Sequence, residues 1–212
     1  NQGTLSTSAV NRLGNGSNTI VLGGGTWFVD GSFFNSRVVQ LSQNGGTIDV
    51  DTGFTLTQSG IIEDDPNSLA GDINKAGTGT LRLNAANTYS SGTNIQGGIL
   101  RLLSGGQLPD TTDVDVANLA TWDLNNQNDA IDALSGSGDV LLGTAALTLG
   151  ADDGGATFSG TISETGNLVK IGTGTQLLRT KTVGEDTFPN TFTGGVAIND
   201  GTLDIAEDDN LG

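Results

Sequence analysis

One unit occurs twice in this chain of 212 residues, and its opening motif begins a third time near the C-terminus. Gly98-Ile99-Leu100…Leu108 returns as Gly201-Thr202-Leu203…Leu211, and Gly3-Thr4-Leu5…Leu13 is the same motif again. The step is 95 residues from Gly3 to Gly98 and 103 from Gly98 to Gly201. Within the unit, Leu13…Thr26-Trp27 matches Leu108…Thr121-Trp122 without a gap, and Asn87-Thr88-Tyr89…Gly92 matches Asn190-Thr191-Phe192…Gly195. Recurrence at a set period outranks other sequence signals, because it makes the chain a stack of similar modules. A stack is a shape before it is a chemistry, so the first expectation is a structural or binding surface.

The modules read as strands. No window shows a 3.6-residue apolar period. Short runs such as Thr26-Trp27-Phe28-Val29, Thr47-Ile48-Asp49-Val50, Ile99-Leu100-Arg101-Leu102 and Leu147-Thr148-Leu149 alternate apolar with polar residues. That is a strand with one buried and one wet face. The gaps carry turn residues, as in Asn15-Gly16, Asn44-Gly45-Gly46 and Asp152-Asp153-Gly154-Gly155, and many are too short for a crossover helix. Sandwich strands occupy non-equivalent places, whereas each coil of a solenoid sees the same neighbours and can reuse the same residues. The expectation is therefore all-β: a parallel β-solenoid of roughly nine coils at ~20–25 residues each, without substantial helix. It is expected to run through 1–212 as one continuous unit, with internal units at about 3–107 and 108–212. The second unit carries about eight extra residues between Gly174 and Asn190, and Thr180–Asp186 is expected to bulge there as a loop.

Composition narrows the function. With 24 acidic residues against 8 basic, the net charge is −16, which disfavours nucleic acid and anionic membranes, where cationic patches supply the binding energy. The absence of Cys excludes disulfides and Cys-based metal or redox sites. No apolar stretch approaches the length of a membrane span. The chain starts at Asn1, and both ends fall in the same phase of the repeat, so a piece of a longer protein is expected.

Leu168-Val169-Lys170-Ile171-Gly172-Thr173-Gly174-Thr175 and Ile73-Asn74-Lys75-Ala76-Gly77-Thr78-Gly79-Thr80-Leu81 resemble the LxKxGxGTL signature of autotransporter-associated β-strand repeats, also called passenger-associated transport repeats. Asn87–Leu100 resembles the segment that follows in that family, and the resemblance runs through most of Gly3–Gly212. Ala76, Ile171 and Gln176 depart from the pattern. The resemblance implies the passenger of a type V secreted protein of a Gram-negative bacterium, folded as a right-handed parallel β-helix, with an exporting outer-membrane barrel elsewhere in the parent protein. The right hand also agrees with the bias of parallel crossovers.

Particular residues are read as follows. Gly77/Gly79 and Gly172/Gly174 allow tight corners where φ is positive. Lys75 and Lys170 alternate with apolar neighbours, and their heads are expected to face water. Trp27, Trp122, Tyr89 and Phe192 recur in register and read as core packing rather than a sugar platform. Asn87, Asn94, Asn190 and Asn199 suit Asx turns or ladders between coils. The clusters Glu63-Asp64-Asp65, Asp152-Asp153, Glu185-Asp186 and Glu207-Asp208-Asp209 read as solvated turns; none matches a calcium-binding nonapeptide or an EF-hand loop.

No residue is singled out as catalytic, cofactor-binding or metal-binding. Alternate carboxylates such as Asp49/Asp51 and Asp113/Asp115 occur, but alternate positions on a wet strand commonly hold Asp. Without His or Cys, the commonest acid–base group and the best nucleophile are missing. The leading expectation is a non-catalytic, extracellular passenger segment acting as stalk or adhesion scaffold, with glycans, matrix or other cell-surface proteins as partners. The alternatives are a subunit that self-associates end to end into filaments, since open strand edges invite pairing, and, behind it, a polysaccharide lyase or hydrolase.

Overall fold

In the computed structural model, residues 3–206 are described. They coil as stacked strands around one core. The first face is a ten-stranded sheet, running in order from Thr4–Thr7 and Thr26–Val29 at one end to Thr175–Leu178 and Thr202–Ile205 at the other. The second face has seven strands, from Phe33–Asn35 to Thr161–Ser163. The third has three at one end, Ile20–Leu22 to Ile62–Asp64, and four at the other, Asp129–Ile131 to Val196–Ile198. All pairings within these sheets are parallel. The chain passes the first face ten times, in keeping with a solenoid of about nine coils. One 3-10 turn, Val10–Leu13, occupies the stretch between the first-face and third-face strands of the opening coil.

Parallel sheets are normally covered on both sides. Here each sheet's inner side is covered by the other two. Alternate residues point inward, so Ile48, Val50, Leu81, Leu83, Val114, Val116, Trp122, Val140, Leu147 and Leu149 are all buried. Each such side chain contributes ~1.5–3 kcal/mol on burial. Trp27, Trp122, Tyr89 and Phe192 are core residues, as expected. Their register is not. Trp27 lies in the first-face sheet and Trp122 in the second, and the strands at Gly3, Gly98 and Gly201 alternate between the first and second faces in the same way. The sequence unit spans more than four coils and is not a whole number of them, so its copies present the same local structure on different sides.

The two signature lysines correct the sequence reading. Lys75 and Lys170 are buried, 1% and 0% exposed. Strand alternation puts both inside, on the same side as Ile73 and Leu168. The Lys75 ammonium donates to the carbonyl oxygens of Ala76 (2.7 Å), Gly77 (2.9 Å) and Gly97 (3.0 Å). Lys170 donates likewise to Ile171 and, at 2.9 Å, to Gly172. Three carbonyls accept the three protons of an ammonium. Burial lowers the Lys75 pKa to about 8 while the charge of Asp49 pulls the other way, so the side chain is charged at neutral pH. The glycines after each lysine explain why it can turn inward and still reach acceptors. Gly77 and Gly172 have φ of +71° and +64°, which folds their carbonyls back towards the amine. Gly79 and Gly174 are needed for another reason: a Cβ there would collide with the carbonyl oxygens of Asp51 and Gly154.

Side-chain amides complete the ladder where strands are interrupted. Asn87 Oδ1 accepts the Ile62 N–H (2.9 Å) while its Nδ2 donates to the Gln107 carbonyl (2.8 Å), carrying the third face across two coils that lack a third-face strand. Asn190 Oδ1 accepts the Ile162 N–H in the same way (2.7 Å), but on the second face. Gln176, where the signature has Leu, is buried and reaches two coils back to the N–H and C=O of Leu134. It bridges past the two-residue strand Thr157–Phe158, which pairs with the preceding strand only through Gly136 and Phe158.

Candidate functional site

The eight-residue excess of the second unit is not a loop but the sole antiparallel pairing among the described strands. Lys181–Val183 pairs with Asp186–Phe188, joined by Gly184-Glu185, with Gly184 at φ +65° closing the turn. The register sets Lys181 opposite Phe188 and Val183 opposite Asp186. Lys181, Val183 and Phe188 line one groove, so they share the hairpin's inner face. The hairpin leaves the ninth coil and folds over the second face. Lys181 Nζ meets Asp139 Oδ1 at 2.7 Å, and the Thr161 hydroxyl donates to the same oxygen at 2.8 Å.

Between hairpin and sheet lies a groove of about 590 Å³. Its floor is built by strand register. Thr121, Asp139 and Thr161 form one outward column over three successive coils, and Leu141 and Ser163 belong to the next. The opposite wall is the turn Asn118-Leu119. Leu119 has φ +68°, a left-handed backbone uncommon for a side-chain-bearing residue, and it is 84% exposed. Val183 and Phe188 are about half exposed, so the hairpin roofs the groove without filling it.

The remaining carboxylates do structural work. Asp64 Oδ2 accepts the Ser90 N–H and hydroxyl, Asp65 accepts from Ser42 and Asn67, Asp153 accepts the Thr173 N–H, and Asp132 accepts the N–H groups of Asp152 and Gly154. Many of these bonds join neighbouring coils. Backbone bonds hold the carboxyls of Asp65 and Asp153 below the usual range. Burial, with the charge of Asp132, raises that of Asp113. Asp129 is a core carboxyl: burial lifts its pKa to about 7, Oδ2 accepts the Leu108 N–H, and Oδ1 has no partner. Glu207, Asp208 and Asp209 lie outside the described residues. Among those described, no group of His, Cys, Asp or Glu is arranged to hold a metal ion.

The insertion was visible in the sequence as a difference in repeat length. The groove floor was not, because outward Thr, Asp and Ser are ordinary on any wet strand.

Comparison with known proteins agrees with the geometry. The sequence profile of the passenger-associated-transport-repeat matches residues 73–102 and 168–205, the two lysine–glycine corners with the strands that follow them. The Adhesin BmaC autotransporter of Brucella suis biovar 1 (strain 1330) is 32% identical over 219 aligned residues, which cover 95% of this chain. The chain spans about 6% of that relative's length. No solved structure matches. Two repeat matches on equivalent corners, within a parallel solenoid colinear with part of an autotransporter, make this chain a passenger-associated repeat region of an autotransporter.

Proposed function

We propose that this segment is a surface-exposed, non-catalytic stalk and adhesion scaffold. The observation that carries the reading is the similarity, along 95% of the chain, to part of a protein named an adhesin. The architecture supports it, since a constant cross-section extends reach while its outward residues remain free to vary. The chemistry also supports it: no His or Cys is present, and of the Asp pairs considered for hydrolysis, Asp49 and Asp115 lie in ladder strands with Asp51 and Asp113 just beside them. We further propose that the parent protein carries an outer-membrane barrel, which places this segment outside the cell. No helix of the described residues is long and apolar enough to cross a membrane.

The test is to display the segment on a bacterial surface from a heterologous barrel, beside a solenoid of equal length and unrelated surface. Attachment of the displaying cells to glycan- or matrix-coated plates, above the control, is expected. Normal display without added attachment would remove the adhesive role and leave a spacer.

A further inference from the structure

We infer that the hairpin-roofed groove on the second face binds a neutral oligosaccharide. This deepens the adhesion reading and rests on it, by naming what the scaffold would hold. Single exposed apolar residues are ordinary, whereas a cluster around a cavity is not. Of the eight large apolar side chains exposed among the described residues, Leu119, Val183 and Phe188 converge here. A two-stranded hairpin is marginal on its own, and this one is tied to the sheet by the Lys181–Asp139 pair while the apolar Val183 and Phe188 of its inner face stay about half exposed. The groove of about 590 Å³ falls within the ~300–1,000 Å³ usual for small-ligand clefts.

The lining selects the class of ligand. The chain carries −16, which repels anions. A cation gains little in the groove, because its one carboxylate, Asp139, is already held by Lys181 and Thr161. The occupant is therefore uncharged. An extended peptide fits poorly: the floor is the face of a sheet whose backbone is paired coil to coil, so it offers no edge for strand addition. A saccharide has the complementary distribution. Its C–H faces can lie on Phe188 and Leu119, and its peripheral hydroxyls can reach Thr121, Ser163 and Asn118, whose side chains bond no protein group among the described residues. Thr121 and Ser163 stand two coils apart, roughly 10 Å along the stack at ~4.8 Å per coil, so the site reads a ligand lying along the solenoid axis.

The test is calorimetric titration of the 212-residue chain. The probes are neutral di- to tetrasaccharides of glucose, galactose, mannose and N-acetylhexosamines, with sialylated analogues and apolar pentapeptides as contrasting arms. Saturable binding of at least one neutral saccharide is expected. It should weaken tenfold or more in Phe188→Ala and, independently of the hairpin, in Leu119→Asp. It should stay unchanged in Thr182→Ala, whose side chain points to the hairpin's other side. Melting temperatures of all three variants identify any that fail to fold. No binding in the neutral arm would overturn the inference, as would binding confined to sialylated ligands or peptides, or neutral binding insensitive to both groove variants. Attachment of displaying cells is read separately, so a blank titration with attachment intact refutes the groove alone.

Discussion

At the scale of the residue, Lys75 and Lys170 show how a charge can be a core side chain. Each takes an inward strand position and ends among carbonyl oxygens that the glycine corner has turned towards it. Alternation in the sequence was legible. What it did not convey was which set of alternating residues faced inward at the end of the strand, because a lysine is read as wet unless its acceptors are known. Lys75→Met should cost about 2–4 kcal/mol, since it removes the donor and leaves three buried carbonyls unpaired. The urea midpoint measures this, and a wet lysine would shift it by no more than ~0.5 kcal/mol. Asp129 is the opposite case, a carboxyl in the core with no cation beside it. Its folded pKa of about 7 lies well above the 3.8 usual for an aspartate, so the folded state holds the proton more tightly. The stability this contributes is complete below the unfolded pKa and is lost as pH rises through about 7. Asp129→Asn keeps a neutral group there. The variant's melting temperature relative to the parent should therefore climb between pH 4 and pH 8, by roughly 7–15 °C in all. A difference that stays constant over that range would show that Asp129 titrates alike in the folded and unfolded chain, with no raised pKa in the core.

The elements are short strands, and corners decide where they can stack. Gly79 sits against the Asp51 carbonyl of the preceding coil, whereas Gly16 has open space around it. Gly79→Ala should destabilise by ~2 kcal/mol or more, because backbone has to move, while Gly16→Ala should fall within ~0.5 kcal/mol of the parent. Thermal unfolding of the pair makes the comparison, and equal melting temperatures would show that the corner has room. Strand existence was readable in the sequence because apolar alternation and Gly-Asn punctuation agree at most positions. Pairing partners were not, since a partner lies a coil away and coil length ranges around insertions such as Thr180–Asp186. Gln176 illustrates the limit: against the signature it looks like a defect, and only the short neighbouring strand gives its amide a purpose.

For the whole molecule, three of the eight basic residues are withdrawn from the surface. Lys75, Lys170 and Arg37 are buried, Arg37 donating to the carbonyls of Gly14 and Asn15. Asp123 and Asp129 are buried as well, so the balance of acid over base seen by solvent stays close to that of the composition, and the three buried cations are answered mainly by backbone carbonyls rather than carboxylates. The fold class was legible because recurrence reports equivalent surroundings. The candidate groove was legible only as a surplus in length; its floor depends on register between coils, which alternation alone does not fix.

The repeat copies stand on different faces because the unit does not close a whole number of coils. Lengthening such a chain by copying its longer, hairpin-bearing unit would therefore do more than extend it. Each new copy would carry its hairpin round the rod like the next tread of a spiral stair, so that successive decorations look out in different directions and a neighbour approaching from any side meets one of them.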